Sequence, residues 1–125
     1  MEVRSPVLIV DDDADVREAL EELLVERGFA VITASNGAEA LKLLRSMSAP
    51  PSIILLDLMM PVLDGYGFLA EQRRDPQLSG IPVAIITAGH AVDHARLGQS
   101  RPILSKPINV SQLMATLRGI QSPEA

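Results

Sequence analysis

The chain has 125 residues, 47% of them hydrophobic and 22% charged, with a formal net charge of −5. That length fits one domain over residues 1–125, and the acidic balance argues against direct nucleic-acid binding, which needs clustered Lys and Arg. Cysteine is absent, the N-terminus lacks the apolar core of a signal peptide, and no apolar run reaches the roughly 18 residues of a membrane span, so a cytoplasmic protein without disulfides is expected.

Residues 1–5 are expected to fray, and Val7–Val10 then forms an uninterrupted aliphatic run. Continuous runs of this kind suit parallel strands covered on both faces. This one leads directly into Asp11-Asp12. Asp13 and Asp15 are placed to favour the start of a helix, in which Val16, Leu20, Leu23 and Leu24 recur at helical spacing. Gly28 supplies its stop. Ala30–Ala34 is a mixed strand candidate. Asn36, with Glu39 three residues on, reads as a reciprocal cap opening a second helix through Leu41 and Leu44.

Ile53–Leu56 is a second continuous aliphatic run, and it ends at Asp57. Met59-Met60 reads as packing or loop, and Asp64-Gly65 as a turn into a third helix over Tyr66–Arg74 that stops before Asp75-Pro76. A third aliphatic run, Val83–Ile86, ends at Thr87-Ala88. His90 and His94 stand one helical turn apart, but with no cysteine and no third ligand they read as exposed side chains rather than zinc ligands. A weaker strand at Ile103–Leu104 leads through Ser105 to Lys106-Pro107. Asn109 and Gln112 repeat the cap pattern before Leu113, Leu117 and Ile120, and residues 121–125 are expected to fray.

Strand and helix alternate about five times, which predicts an α/β fold with a doubly wound parallel sheet and helices on both faces. Ligands of such sheets bind beyond the carboxyl ends of the strands. Those ends carry Asp11, Asp12, Asp57, Thr87 and Lys106. Two carboxylates roughly 5 Å apart repel by about 3 kcal/mol at an effective dielectric of about 20, so the cluster calls for a cation. Mg²⁺ (or Mn²⁺) suits it, since Mg²⁺ takes one or two carboxylates and prefers phosphate oxygens for the rest. Asp57 is then the carboxylate nucleophile that accepts a phosphoryl group. Asp11 and Asp12 hold the metal together with Asp57 and the backbone carbonyl of Met59. Lys106 supplies positive charge to the phosphoryl oxygens and Thr87 a hydroxyl donor.

VLIVDDDADVREAL, NGAEAL, IILLDLMMPVLDGYGFL, PVAIITA and LSKP together resemble the receiver domain of two-component response regulators over nearly the whole chain. The resemblance implies a flavodoxin-like fold of five parallel strands in the order 2-1-3-4-5 with five helices. Chemotaxis receivers share that strand order, and the resemblance implies a single-domain, chemotaxis-regulator-like protein. It also implies that the residue at Asp57 takes phosphate from a histidine kinase or a small phosphodonor, that Asp11, Asp12 and the Met59 carbonyl bind Mg²⁺, that Thr87 and Lys106 respond to the phosphate, and that Lys106-Pro107 is cis. Departures lie in the output half. Ile103 stands where the family usually has Tyr or Phe, Ile108 where it often has Phe, and the Thr87–Lys106 interval is shorter by about a helical turn. These changes predict a short or displaced fourth helix.

The expected function is therefore a phosphorelay response regulator that catalyses only its own phosphorylation and dephosphorylation. Its partners would be a sensor histidine kinase or phosphotransfer protein and a downstream protein, with no membrane insertion, as a monomer or a phosphorylation-dependent dimer. The resemblance places the output surface at residues 90–101 with Ile103, Ser105 and Gln112, and the switch at Thr87, Ile103, Lys106 and Pro107. Three other readings stand beside it: a receiver cut from a larger kinase or transcription factor, a phosphate shuttle to a histidine phosphotransfer protein, and a phosphorylation-independent interaction module.

Overall fold

The computed structural model describes residues 5–88, 92–98 and 101–121. His90, the neighbouring Gly89 and Ala91, Gln99, Ser100 and the outermost terminal residues lie outside that set, and so do the readings made for them. Strands β1 (Val7–Val10), β2 (Val31–Ala34), β3 (Ile53–Asp57), β4 (Val83–Thr87) and β5 (Ile103–Ser105) alternate with helices α1 (Ala14–Glu26), α2 (Gly37–Ser46), α3 (Gly65–Arg74), α4 (His94–Leu97) and α5 (Val110–Gln121). The strands form one parallel sheet in the order β2-β1-β3-β4-β5.

Successive residues of a strand point to opposite faces, so each aliphatic run feeds two cores at once. On one side, Leu8, Val10, Ile54, Leu56 and Ile85 pack with side chains from α2 and α3 and with Leu97 of α4. On the other, Val7, Ile9, Ile53, Leu55 and Ile86 pack with Leu20 and Leu24 of α1 and Leu113 and Leu117 of α5. The core is mainly aliphatic, as the composition requires, yet Phe68 is fully buried in it and Tyr66 nearly so.

Side-chain caps set the helix starts. Asp13 accepts from the N–H groups of Asp15 and Val16, and Asn36 accepts from Glu39 N–H. Glu39 does not return the bond to Asn36 as the cap pattern predicts. Its carboxylate instead accepts from the backbone N–H and the hydroxyl of Ser35. These bonds hold its pKa below the usual carboxylate range, helped slightly by the charge of Arg17. Asp64 is a true cap rather than only a turn, accepting from Gly67 N–H. Asn109 caps α5 through Gln112 N–H.

Helix α4 has only four residues, in line with the shortened interval in the sequence. In the loop between β3 and α3, Val62 adopts φ +70° while its side chain is 82% exposed, an uncommon conformation for a β-branched residue.

Candidate functional site

The ends of β1 and β3 are neighbours because those two strands pair directly, Val10 opposite Leu56. The next residue of each chain segment is an aspartate, so adjacency of the strands brings Asp11 beside Asp57. Oxygen atoms of Asp11, Asp12 and Asp57 all lie within 4.8 Å of one another. Asp11 is wholly buried and Asp57 is 4% exposed, whereas Asp12 faces solvent.

Asp11 is fixed at every polar group. Its N–H donates to Ala34 O, its carbonyl accepts from Arg17 Nη1 at 2.8 Å, and Oδ1 accepts from Asp13 N–H at 2.9 Å. Oδ2 faces Lys106 Nζ at 2.9 Å, and apart from that ammonium no donor among the described residues reaches this buried oxygen. Lys106 Nζ also stands 3.7 Å from Asp57 Oδ2, so a single ammonium bridges the two buried carboxylates. Met59 donates its N–H to Asp57 Oδ1 at 3.3 Å, while its side chain is exposed to solvent and packs in no core.

The charges respond as this geometry requires. Burial pushes the Asp57 carboxyl up from 3.8 to about 6, and the charges of Asp11 and Asp12 add to the rise. Lys106 and the Met59 N–H oppose it. For Lys106, burial acts to lower the pKa. The hydrogen bond and charge of Asp11, with the charges of Asp57 and Asp13, outweigh that, so its pKa is raised and the ammonium stays protonated.

Thr87 closes β4 with a buried side chain, and its carbonyl accepts from Lys106 N–H at 2.7 Å. Lys106-Pro107 is a cis peptide. Ile103, on β5, is half-buried against the core that includes Tyr66 and Leu97, whereas Ser105, Gln112 and His94 are exposed. Beside Lys106 an apolar groove runs between α1 and the loop that joins β5 to α5, lined by Val16, Ala19, Leu20, Leu23, Pro107 and Ile108.

Asp11, Asp12, Asp57 and Lys106 thus meet at one place, as strand ends in the sequence predict. Two features of the pocket were not foreseen: Arg17, whose guanidinium reaches back to Asp11, and the ion pair that Lys106 makes with Asp11. The only sequence signal for Arg17 was an isolated cation one turn into an otherwise acidic helix.

The donor set is all oxygen, partly buried and carries excess negative charge, which fits a hard divalent cation. No helix among the described residues is long and apolar enough to cross a membrane.

Residues 7–118 match the family of response regulator receiver domains. The chain is 40% identical over 124 residues to a probable transcriptional regulator, ycf27, of Guillardia theta, covering 96% of this chain and 46% of that protein. It spans about half the length of the curated relatives it matches. Among solved structures, the chemotaxis protein CheY4 of Vibrio cholerae superposes with a TM-score of 0.82 at 28% identity, covering 94% of this chain and 99% of that one. The Mn²⁺-bound form of response regulator Rcp1 gives a TM-score of 0.74 at 29% identity over 94% of this chain and 92% of that one. With a flavodoxin-like sheet in the order 2-1-3-4-5 and an acidic pocket at its carboxyl end, this chain belongs to the response regulator receiver domains of two-component systems.

Proposed function

We propose that this receiver accepts a phosphoryl group on Asp57 from a histidine kinase, a phosphotransfer protein or a small acyl phosphate, and that the modified state changes its affinity for a protein partner. The observation that carries this reading is the pocket itself: two buried carboxylates on adjacent strands, a third at the rim, and one ammonium bridging the buried pair.

In the transfer, a carboxylate oxygen of Asp57 attacks phosphorus while the bond to the donor's nitrogen or oxygen breaks, and the leaving group takes the electron pair. Asp11, Asp12, Asp57 and the Met59 carbonyl would hold Mg²⁺ or Mn²⁺, which neutralises charge on the phosphoryl oxygens when bound. Lys106 is held at the pocket by Asp11 and is placed to turn toward a new anion on Asp57. Thr87, whose backbone is paired to Lys106, would supply a hydroxyl to the same group. The residues act on their own phosphorylation and dephosphorylation, and no other substrate is invoked.

The test is labelling with acetyl phosphate and Mg²⁺. The expected outcome is one hydroxylamine-sensitive phosphate per chain, with no label formed when EDTA replaces Mg²⁺ and none on Asp57→Asn. Equal labelling of Asp57→Asn would overturn the assignment.

A second reading concerns output, and it is favoured by the half-length match to relatives called transcriptional regulators. In it, the chain is the receiver portion of a longer regulator, and the partner is an attached domain. The mass of the natural gene product distinguishes the two.

A further inference from the structure

We propose that Tyr66 is the residue that positions α4 and couples it to the acceptor, a role for which β5 offers only Ile103. This rests on the receiver reading above and specifies how its state reaches the surface.

A helix of four residues makes too few internal hydrogen bonds to stand alone, so α4 exists by virtue of what holds it. It is tied to α3 at both ends. At its start, Asp93 N–H donates to the Tyr66 hydroxyl at 2.9 Å, and the Arg96 guanidinium lies 4.3 Å from the centre of the Tyr66 ring. At its finish, Arg73 Nη1 and Arg101 Nε both donate to Leu97 O, at 3.5 and 3.3 Å. Gly98 there has φ +86°, and the Arg73 guanidinium occupies the space a Cβ would take. The side chain of Leu97 is buried in the core that contains Tyr66.

The other end of this connection is the acceptor. Gly65 donates its N–H to Leu58 O at 2.9 Å, and a Cβ on it would meet Asp57 O at 2.6 Å and Leu58 Cα at 2.7 Å. Backbone therefore lies on backbone with no intervening side chain, and a shift of residues 57–58 must be felt at residue 65. Tyr66 is next in the chain, and its hydroxyl ends on Asp93, the residue that caps α4. Ile103 packs against the same core but has no polar atom with which to hold a partner in one of two places. Tyr66 does. Two arrangements, with the Asp93 bond made or broken, supply the bistable element that coupling requires.

The experiment is amide exchange on the full chain with Mg²⁺, with and without beryllofluoride as the phosphate mimic, in wild type, Tyr66→Phe and Arg96→Ala. Tyr66→Phe removes one oxygen and keeps the ring. Wild type should change its exchange at residues 92–98 when beryllofluoride is added. In Tyr66→Phe the Asp93 amide should exchange about fivefold to tenfold faster without the mimic, the worth of one hydrogen bond, and the mimic-dependent change at 92–98 should disappear. Acetyl phosphate labelling of Asp57 should be unaltered. Arg96 is exposed, so Arg96→Ala keeps the test available should the tyrosine variant fail to fold, and it should at least halve the mimic-dependent change. A wild-type response in folded Tyr66→Phe, or in Arg96→Ala where the tyrosine variant does not fold, overturns the inference. Failure of wild type to label at Asp57 overturns the receiver reading instead, so the two failures are distinguishable.

Discussion

The acceptor pocket and the α4 edge are built by different means. Asp11 and Asp57 take their places from paired strands of a five-stranded sheet, and Asp11 is then locked through its N–H, its carbonyl and both carboxylate oxygens. Helix α4 takes its place from a few side-chain contacts: those made by Tyr66, Arg73 and Arg101, Arg96 over the Tyr66 ring, and Leu97 in the core. A position inherited from a sheet is shared among many backbone bonds and resists any one substitution. A position held by a handful of side chains is open to adjustment, which suits the part of a regulator that must move.

The largest effect that would test this contrast is expected for Lys106→Ala. It strands two buried carboxylates without their shared cation, so metal-free protein should lose about 2–3 kcal/mol in urea unfolding, and saturating Mg²⁺ should restore most of it. Metal affinity should not fall, although the response to phosphate should. An equal loss with and without Mg²⁺ would mean that Lys106 stabilises the fold by packing and not by charge.

Asp57→Asn should act in the opposite direction. Folded Asp57 keeps its proton up to about pH 6, against 3.8 for an ordinary aspartate, so the folded state is penalised as pH rises through that window. In EDTA at pH 7 the asparagine variant should therefore be more stable by about 2 kcal/mol, and the gain should vanish below about pH 4. A gain independent of pH would trace to packing.

The smallest effect sharpens the contrast from the other side. Gly98→Ala places a Cβ at positive φ and against Arg73, at a cost of about 1 kcal/mol. Amide exchange at residues 92–98 should accelerate by about fivefold. Labelling at Asp57 should be unchanged. Slower labelling would show that the edge and the pocket are not separable.

Much of the pocket was legible in the sequence because it depends on where strands end. Val7–Val10 and Ile53–Leu56 announce buried strands, and an aspartate directly after each can only emerge at the same edge of a parallel sheet. The short α4 was legible too, from the reduced interval before Lys106. The contacts that cross between elements were not. Tyr66 and Asp93 are far apart in the chain, and nothing in the residues of α3 indicates which of its side chains will meet α4. Glu39 illustrates the same limit at short range: its spacing matched a reciprocal cap, but two donors on Ser35 outcompete one on Asn36.

Val62, at φ +70° on the rim between β3 and α3, has a consequence for anyone wishing to copy that rim as a peptide. Left-handed backbone costs a β-branched residue about 1–3 kcal/mol, and in the protein the surrounding fold supplies that energy. A free segment covering residues 57–64 has no such support and would relax to an extended form. The loop's shape is a property of the whole domain, and mimics of it will need glycine or a covalent ring to hold it.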